Sequence, residues 1–244
     1  MNKQKQYEFE KRSALRLQQS TREERRRLYI DIYSELYEKF SSESKVGQVE
    51  RDFKLIKSFF RPSDFVLEVG AGNLALTRKI AQRVKKIVAL EVASVSSVEP
   101  KGNMNFVSFN GIDFPALANK FDKALSFQVL EHLHPDDVKL HLEAVKNFLK
   151  DGGYYIIRTP HRFSGPHDVS KDFSKEATGL HLKEYTYREL LDLTESAGFR
   201  RARTYLGQFG FKLWLPSHLI IFIEKYFAWL VKVFVRNLLI VAYK

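Results

Sequence analysis

Cysteine is absent from the 244-residue chain, which excludes disulfides and thiolate metal sites and fits a reducing compartment. The opening stretch, MNKQKQYEFEKRSALRLQQ, lacks the apolar core of a secretory signal, so the cytoplasm is the expected location. Long uncharged apolar runs are also missing. The two richest segments, LWLPSHLIIFI and YFAWLVKVFV, are interrupted by Pro216, Glu224, Lys225 or Lys232, and neither reaches the roughly 18 residues of a membrane span. No internal repeat or low-complexity tract is present. What remains is 44% hydrophobic and 14% aromatic, enough to bury one large core with an appended lid.

Negative charge is scarce at the ends. Residues 1–61 carry 15 basic against 10 acidic side chains, residues 62–198 carry 17 against 18, and residues 199–244 carry 8 against 1. A neutral middle with basic ends points to a catalytic domain whose periphery meets an anionic partner, or to a basic surface that aids solubility. Among anionic partners nucleic acid is disfavoured, because no recognition module is visible and the aromatics lie on apolar stripes, apart from the basic residues.

Periodicity predicts an N-terminal helical cap over 1–61. LYIDIYSELYEKF places Leu28, Tyr29, Ile32, Tyr33, Leu36, Tyr37 and Phe40 at helical spacing behind the basic run REERRR. A second helix follows Ser44, with Val46, Val49, Phe53, Ile56 and Phe60 inward, and stops at Pro62. From 62 to 244 strands alternate with helices: strands near 65–69, 86–92, 105–110, 123–128 and 153–159, with helices over 74–83, from Pro135 to Leu149, and from Tyr187 to Ala197. This order predicts a Rossmann-like α/β fold, a mostly parallel seven-stranded sheet with helices on both faces. FRRARTYLG and NLLIVAYK form a terminal antiparallel hairpin, into which residues 208–236 are inserted as amphipathic helices. These either lie as a lid on the domain or rest in a membrane interface.

The chemistry centres on FVLEVGAGNLALTRKIA, residues 65–81. Gly70 and Gly72 lie just past the first strand, where open α/β sheets bind ligands, and they allow a tight turn with close backbone approach. GAGNLA also satisfies the relaxed G-x-G-x-x-A form, with Ala75 where a third glycine is usual, and Glu91 ends the second strand at the distance of a ribose-binding acid. A nicotinamide cofactor is therefore one reading. Glu68, an acid inside an apolar strand, is unexplained by it; an acid there suits a ligand with an ammonium group, or a turn whose N–H groups need an acceptor.

VLEVGAGNLALT, followed in order by VALEV, GIDFP and FQVLEHL, resembles the successive motifs of class I S-adenosylmethionine-dependent methyltransferases, particularly the small-molecule type related to quinone-biosynthesis methyltransferases. The resemblance implies that Glu68, Gly70, Gly72 and Asn73 shape the pocket for the methionyl part of the cofactor. It implies that Glu91 takes the ribose hydroxyls, that Asp113 accepts from the adenine amino group beside Phe114, and that Gln128 lines the cofactor near its sulfonium. Leu74 stands where the family often has a third glycine in G-x-G-x-G register.

Methyl transfer to a hydroxyl needs a base, and histidine is tuned for that near neutral pH. His161, His167 and His181 lie in or near the long segment after the fifth strand. The expected base is His167 or His161, with Asp168 as its orienter. Glu131 and His132 are read as opening a helix, and His132-x-His134 lacks a definite carboxylate partner, so no metal is expected. The reading that results is methyl transfer, most simply to oxygen, onto a small or lipid-linked acceptor roofed by the N-terminal helix and the apolar insertion, with an anionic membrane surface as a further partner. An NAD-dependent oxidoreductase and a non-catalytic methyltransferase-like interaction protein stand as alternatives, and the oligomeric state is open.

Overall fold

The computed structural model describes residues 2–40, 46–92, 102–117, 120–208 and 210–244. Three N-terminal helices, α1 (Lys3–Gln19), α2 (Arg22–Phe40) and α3 (Val46–Ile56), precede an alternating core of β1 (Phe65–Val69), α4 (Ala75–Ala81), β2 (Lys86–Glu91), β3 (Met104–Ser108), β4 (Phe121–Phe127), α5 (Pro135–Phe148) and β5 (Leu149–Pro160). Then come α6 (Tyr187–Ser196), β6 (Arg201–Gln208), β7 (Phe211–Leu215), α7 (Ser217–Tyr226), α8 (Ala228–Phe234) and β8 (Asn237–Tyr243).

The strands form one sheet in the order β3-β2-β1-β4-β5-β8-β6-β7. The first five are parallel, and β8, β6 and β7 join antiparallel. Strand order reverses between β2-β1 and β4, so a crevice opens above the carboxyl ends of β1 and β4. Neighbouring residues along the central strands serve opposite faces: Val66, Ile87, Leu125 and Ile156 pack in one buried cluster, and Leu67, Val88, Ala124 and Ile157 in another. Burial on both sides explains why these strands read as near-continuous apolar runs.

The expected seven strands are eight. The additional one, β7, lies in the segment read as a wholly helical insertion. Gly210, at φ +85, lets the chain reverse after β6, and Phe211 to Leu215 then pair with Gln208 to Thr204. The helix α1 lies within the N-terminal cap but shows no apolar stripe in the sequence, because its few buried side chains, among them Phe9, Ala14 and Leu17, are diluted by charge. Phe9 and Leu17 share a core with Tyr29, Ile32, Leu67 and Val69, so the N-terminal helices pack directly on the sheet. Val46, expected to point inward, lies outside the described side chains, whereas Ile56 and Phe60 are buried beneath the sheet as expected. Thr186 and Glu189 form a reciprocal capping box at the start of α6, and Gly198, at φ +82, follows its end.

Glu224, which interrupts the apolar insertion, is its anchor. The side chain is buried, and its Oε1 accepts from His161 Nε2 at 2.8 Å and from the Tyr187 N–H at 2.6 Å, while Oε2 accepts from the Arg188 N–H at 3.3 Å. One carboxylate thereby satisfies the open N-terminus of α6 and ties α7 to β5. Removing it leaves three buried or part-buried donors without an acceptor. Glu224→Ala should cost about 2–4 kcal/mol of stability in urea denaturation and expose residues 217–234 to limited proteolysis; an unchanged urea midpoint and cleavage pattern would contradict this anchoring role.

Candidate functional site

The turn after β1 is shaped by its contacts. Gly70 (φ +75), Gly72 (φ +53) and Leu74 (φ +62) all occupy the left-handed region. A Cβ on Gly70 would run into the Val129 side chain on the loop after β4, so only glycine fits where the two loops meet. Leu74 adopts the conformation a third glycine would take freely. Its burial, at 2% exposure against Ala71 and Ala89, offsets a backbone cost of about 1–2 kcal/mol. Asn73 Oδ1 accepts from the Ala75 N–H at 3.1 Å and starts α4.

Two carboxylates flank this turn, and one of them holds it. Glu91 Oε2 accepts from the Gly72 N–H at 2.6 Å and its Oε1 from the Val92 N–H at 2.7 Å, linking the β1 turn to the end of β2. Glu68 is buried within β1, and its Oε2 has no hydrogen-bond partner. Burial pushes the Glu68 carboxyl up to about 8; the Thr77 hydroxyl nearby opposes the push and the Glu91 charge adds to it.

A cavity of about 280 Å³ opens beside them, lined by Gly70, Gly72, Glu91, Gln128, Val129 and His132 and roofed by Tyr29, Tyr33 and Tyr37 of α2. The tyrosines follow one another at helical spacing, so the stripe read as a packing face also covers this cavity. Gln128, at the end of β4, has φ +57, unusual for a residue with a side chain. Its N–H donates to the Arg158 carbonyl at 2.8 Å and its Nε2 to Asn237 Oδ1 at 3.0 Å. It also lines a second cavity of about 750 Å³, shared with His167, Arg158 and Asn237.

The structure does not bring every expected residue to the first cavity. Asp113 lies at its N-terminal roof, paired with Arg26 Nε at 2.5 Å and Arg22 at 3.5 Å, and takes the Asn110 amide at 3.1 Å. Burial opposes its charge, but these partners hold its carboxyl below the usual aspartate range. Phe114 packs on Phe109, His141 and Phe148, with centroids 5.3–5.7 Å away.

The three histidines after β5 have different surroundings. His161 is fully buried and bonded at both nitrogens, to Glu224 through Nε2 and to the Phe163 N–H at Nδ1, 3.1 Å away. His167 is part-exposed; its Nε2 lies 3.2 Å from the His161 carbonyl and 3.0 Å from Ser164 Oγ. A carbonyl only accepts, so Nε2 carries the proton and Nδ1 keeps its lone pair. Burial lowers the His167 pKa. Asp168 does not contact His167: it accepts from the Ser170 N–H at 3.0 Å, the Ser170 hydroxyl and the Gly179 N–H at 2.9 Å, which fixes the loop.

Behind the first cavity, Glu131, His132 and His181 gather their ligand atoms within 4.8 Å, the one such group among the described residues. Burial pushes Glu131 up to about 7, and Oε1 is unpartnered; burial pushes His132 down to about 3, with Nδ1 donating to the Leu180 carbonyl at 3.0 Å. Burial disfavours charge on His181, but Glu184, 2.8 Å away, and Glu131 prevail and raise its pKa. An imidazole must be neutral to ligate a metal, so the Glu184 partnership that favours charge on His181 works against using this group as a metal site. Sequence reading weighed His132 with His134, whereas His134 caps α5 by accepting from the Asp136 N–H.

Comparison with known proteins gives one family and many structures. The model of the family described as a methyltransferase domain matches residues 21–203. No curated protein matches the chain in sequence. A SAM-dependent methyltransferase from Archaeoglobus fulgidus aligns with TM-score 0.60 at 17% identity, covering 87% of this chain and 99% of its own. The 1,6-didemethyltoxoflavin-N1-methyltransferase of Burkholderia thailandensis, solved with 1,6-didemethyltoxoflavin and S-adenosylhomocysteine, aligns with TM-score 0.59 at 20% identity over 92% and 91% of the two chains. A SAM-dependent methyltransferase from Thermotoga maritima gives TM-score 0.58 at 16% identity over 90% and 97%. At these identities the likeness is one of fold.

The raised Glu68 pKa sets a pH dependence. Unfolded, the carboxyl ionises near 4.5; folded, it holds its proton to about 8. The stability this gives is full below the lower value and lost as pH rises through the upper one. Glu68→Gln cannot ionise, so its melting temperature relative to the unsubstituted protein should climb between about pH 5 and pH 8, by about 2–4 °C for each kcal/mol relieved. Parallel melting curves for the two proteins across that range would refute the buried-acid assignment.

Proposed function

Because the chain belongs to the methyltransferase domain family, we propose that it transfers the methyl group of S-adenosylmethionine to an oxygen atom of a small or lipid-linked acceptor. The observation that carries this is the Glu91 carboxylate, fixed at the end of β2 and bound to the G-x-G turn beside a cavity. The residues present suit the cofactor: a glycine turn with no room for a Cβ at residue 70, a buried Glu68 oxygen without a partner, and Glu91 and Gln128 facing the same space.

In this reading Glu91 takes the ribose hydroxyls, while Glu68, Gly70, Gly72 and Asn73 form the methionyl end of the pocket. The adenine end lies toward Asp113 and Phe114, outside the cavity's lining, where Asp113 is paired with Arg22 and Arg26 of α2, which closes that end from above. Bound S-adenosylmethionine supplies a methyl carbon already activated by positive sulfur, so the chain's tasks are alignment and exclusion of water. Tyr29, Tyr33 and Tyr37 exclude water, and Gln128, held by the Arg158 carbonyl and Asn237, lines the cofactor near its sulfonium, where the acceptor must approach.

His167 is the base in this scheme. Its neutral form, with the lone pair on Nδ1, faces the second cavity and accepts the hydroxyl proton as the oxygen attacks. His161 serves as a positioning residue, its carbonyl setting the His167 tautomer, and Asp168 stiffens the loop that carries both.

Titration calorimetry with S-adenosylmethionine and NAD tests the cofactor reading. The former should bind and the latter should not, and Glu91→Ala should weaken S-adenosylmethionine by about 1–3 kcal/mol, the effect of removing a charged acceptor. Binding of NAD alone, or unchanged affinity in the variant, would refute the assignment.

The same proposal places the acceptor at an anionic membrane surface. No helix among the described residues is long and apolar enough to cross a membrane, but α7, α8 and β7 expose Trp214, Phe222, Tyr226, Trp229 and Phe234, each at 50% or more. Lys225 and Lys232 lie on the same helices. Aromatic side chains with interspersed lysines favour a headgroup interface. The full chain should therefore float with phosphatidylglycerol vesicles at low salt and lose most of that association when Trp214 and Trp229 are both changed to Ser. No flotation, or flotation indifferent to the double change, would defeat the membrane contact.

A further inference from the structure

The second cavity presents a charge pattern that methyl transfer alone does not explain. Arg51 of α3, Arg158 of β5 and Arg236 immediately before β8 converge on it, against the single carboxylate of Asp52. Arg158 is the most constrained. It is nine-tenths buried, its Nη1 lies 3.2 Å from Asp52 Oδ1, and its Nε has no hydrogen-bond partner. Asp52 Oδ1 also accepts the Gln48 amide at 2.8 Å, so Arg158 shares that oxygen with a second donor. Neither Arg51 nor Arg236 has an acidic partner among the described residues; Arg51 bonds only the neutral Gln48 Oε1, at 2.9 Å.

Holding a buried guanidinium beside another of the same sign is costly unless an anion completes the arrangement. Burial presses the Arg158 pKa down against the pull of Asp52 and Glu131, and the nearby Arg236 adds to the downward push. Three guanidiniums facing one carboxylate leave an excess that a dianion matches better than a monoanion. Their planar forks suit the oxygens of phosphate, and a cavity of about 750 Å³ accommodates more than a single such group.

Position joins this excess to the chemistry. Gln128 lines both cavities, and its strained backbone is held by the carbonyl of Arg158 itself. His167, with its lone pair on Nδ1, faces the same chamber. We infer that the Arg51–Arg158–Arg236 chamber seats a phosphate or diphosphate group of the methyl acceptor, holding the remainder of that molecule against Gln128 and His167. The inference rests on the methyltransferase reading of the adjoining cavity and adds the acceptor's chemical class to it.

Phosphate of this kind comes either from a free metabolite or from a lipid headgroup, and two probes separate the sources. Inorganic pyrophosphate and farnesyl diphosphate, each titrated calorimetrically into the full chain saturated with S-adenosylhomocysteine at low salt, should both bind saturably. Arg51→Ala and Arg236→Ala, at exposed positions, should each weaken pyrophosphate by about tenfold or more. Arg158→Lys, which keeps the charge and loses the fork, should do the same, and the two exposed changes decide the matter if that variant fails to fold. Lys225→Ala and Lys232→Ala, on the apolar helices, should leave pyrophosphate binding unchanged. Farnesyl diphosphate binding about tenfold tighter than pyrophosphate assigns a lipid-linked acceptor, and equal binding assigns a free one. Absence of saturable pyrophosphate binding, or equal losses from the lysine and arginine changes, overturns the chamber assignment. S-adenosylhomocysteine affinity, measured in every variant, keeps the two readings apart: its retention while pyrophosphate fails overturns only the anion seat, whereas its absence from the unsubstituted chain strikes the methyltransferase reading.

Discussion

Residue 70 has no room for a side chain, and the geometry of the site follows from that contact. Strand order reverses between β1 and β4, so their loops diverge at the carboxyl ends and leave a crevice. Gly70 against Val129 closes the floor of that crevice. With the floor closed, the next turn of chain brings the Gly72 N–H to Glu91. The carboxylate thus stands between the ends of two adjacent strands, where its direction is set by backbone donors. A side chain oriented in this way is prepared for a ligand before one arrives, which reduces the ordering cost of binding.

The same economy of backbone contacts governs the charges. Glu68 is buried within β1 and its carboxyl is pushed up to about 8, whereas Glu91, at the end of the adjacent strand β2, accepts from two backbone N–H donors. The two acids therefore meet different surroundings, one desolvation and the other oriented donors. Glu131 and His132 show a similar contrast behind the cavity, with burial pushing the acid up and the base down, so that both favour neutrality. His181 differs: burial disfavours its charge, but Glu184, facing it directly, and Glu131 raise its pKa.

Much of this was legible in the sequence, and the reasons are local. The strands β1, β2, β4 and β5 are apolar on both faces and bounded by glycine or acid, so their limits are visible without the fold. Gly70, Gly72, Glu91 and Gln128 stand at the ends of those strands, where the family resemblance draws attention to them, and they line one cavity. Elements that depend on few buried residues were harder to see. In α1 the burial of Phe9, Ala14 and Leu17 is masked by surrounding charge, and β7 exposes Phe211, Leu213 and Trp214, giving it no alternating signature. The histidines could be counted but not distinguished, since burial separates His161 from His167. Arg51, Asp52, Arg158 and Arg236 come from three parts of the chain and are joined only by the sheet.

Glu224 shows how one residue type yields opposite inferences at the two levels. In sequence, a charge in the middle of an apolar segment argues against a membrane span. In the structure the charge points inward beside Ile220, caps α6 and meets His161, while Leu219, Phe222 and Tyr226 point outward. An amphipathic helix with its polar anchor buried and its apolar side exposed inverts the usual pattern of a helix packed on a soluble domain. The inversion is stable only if α7 is held by a few strong polar bonds, since Ile220 and Glu224 are its only fully buried residues. The same anchor reaches the loop of His161, whose carbonyl in turn receives the His167 proton. A contact that fixes the outer helices therefore also fixes the tautomer of the histidine facing the chamber, coupling the apolar surface to the chemistry beneath it through three hydrogen-bonded residues.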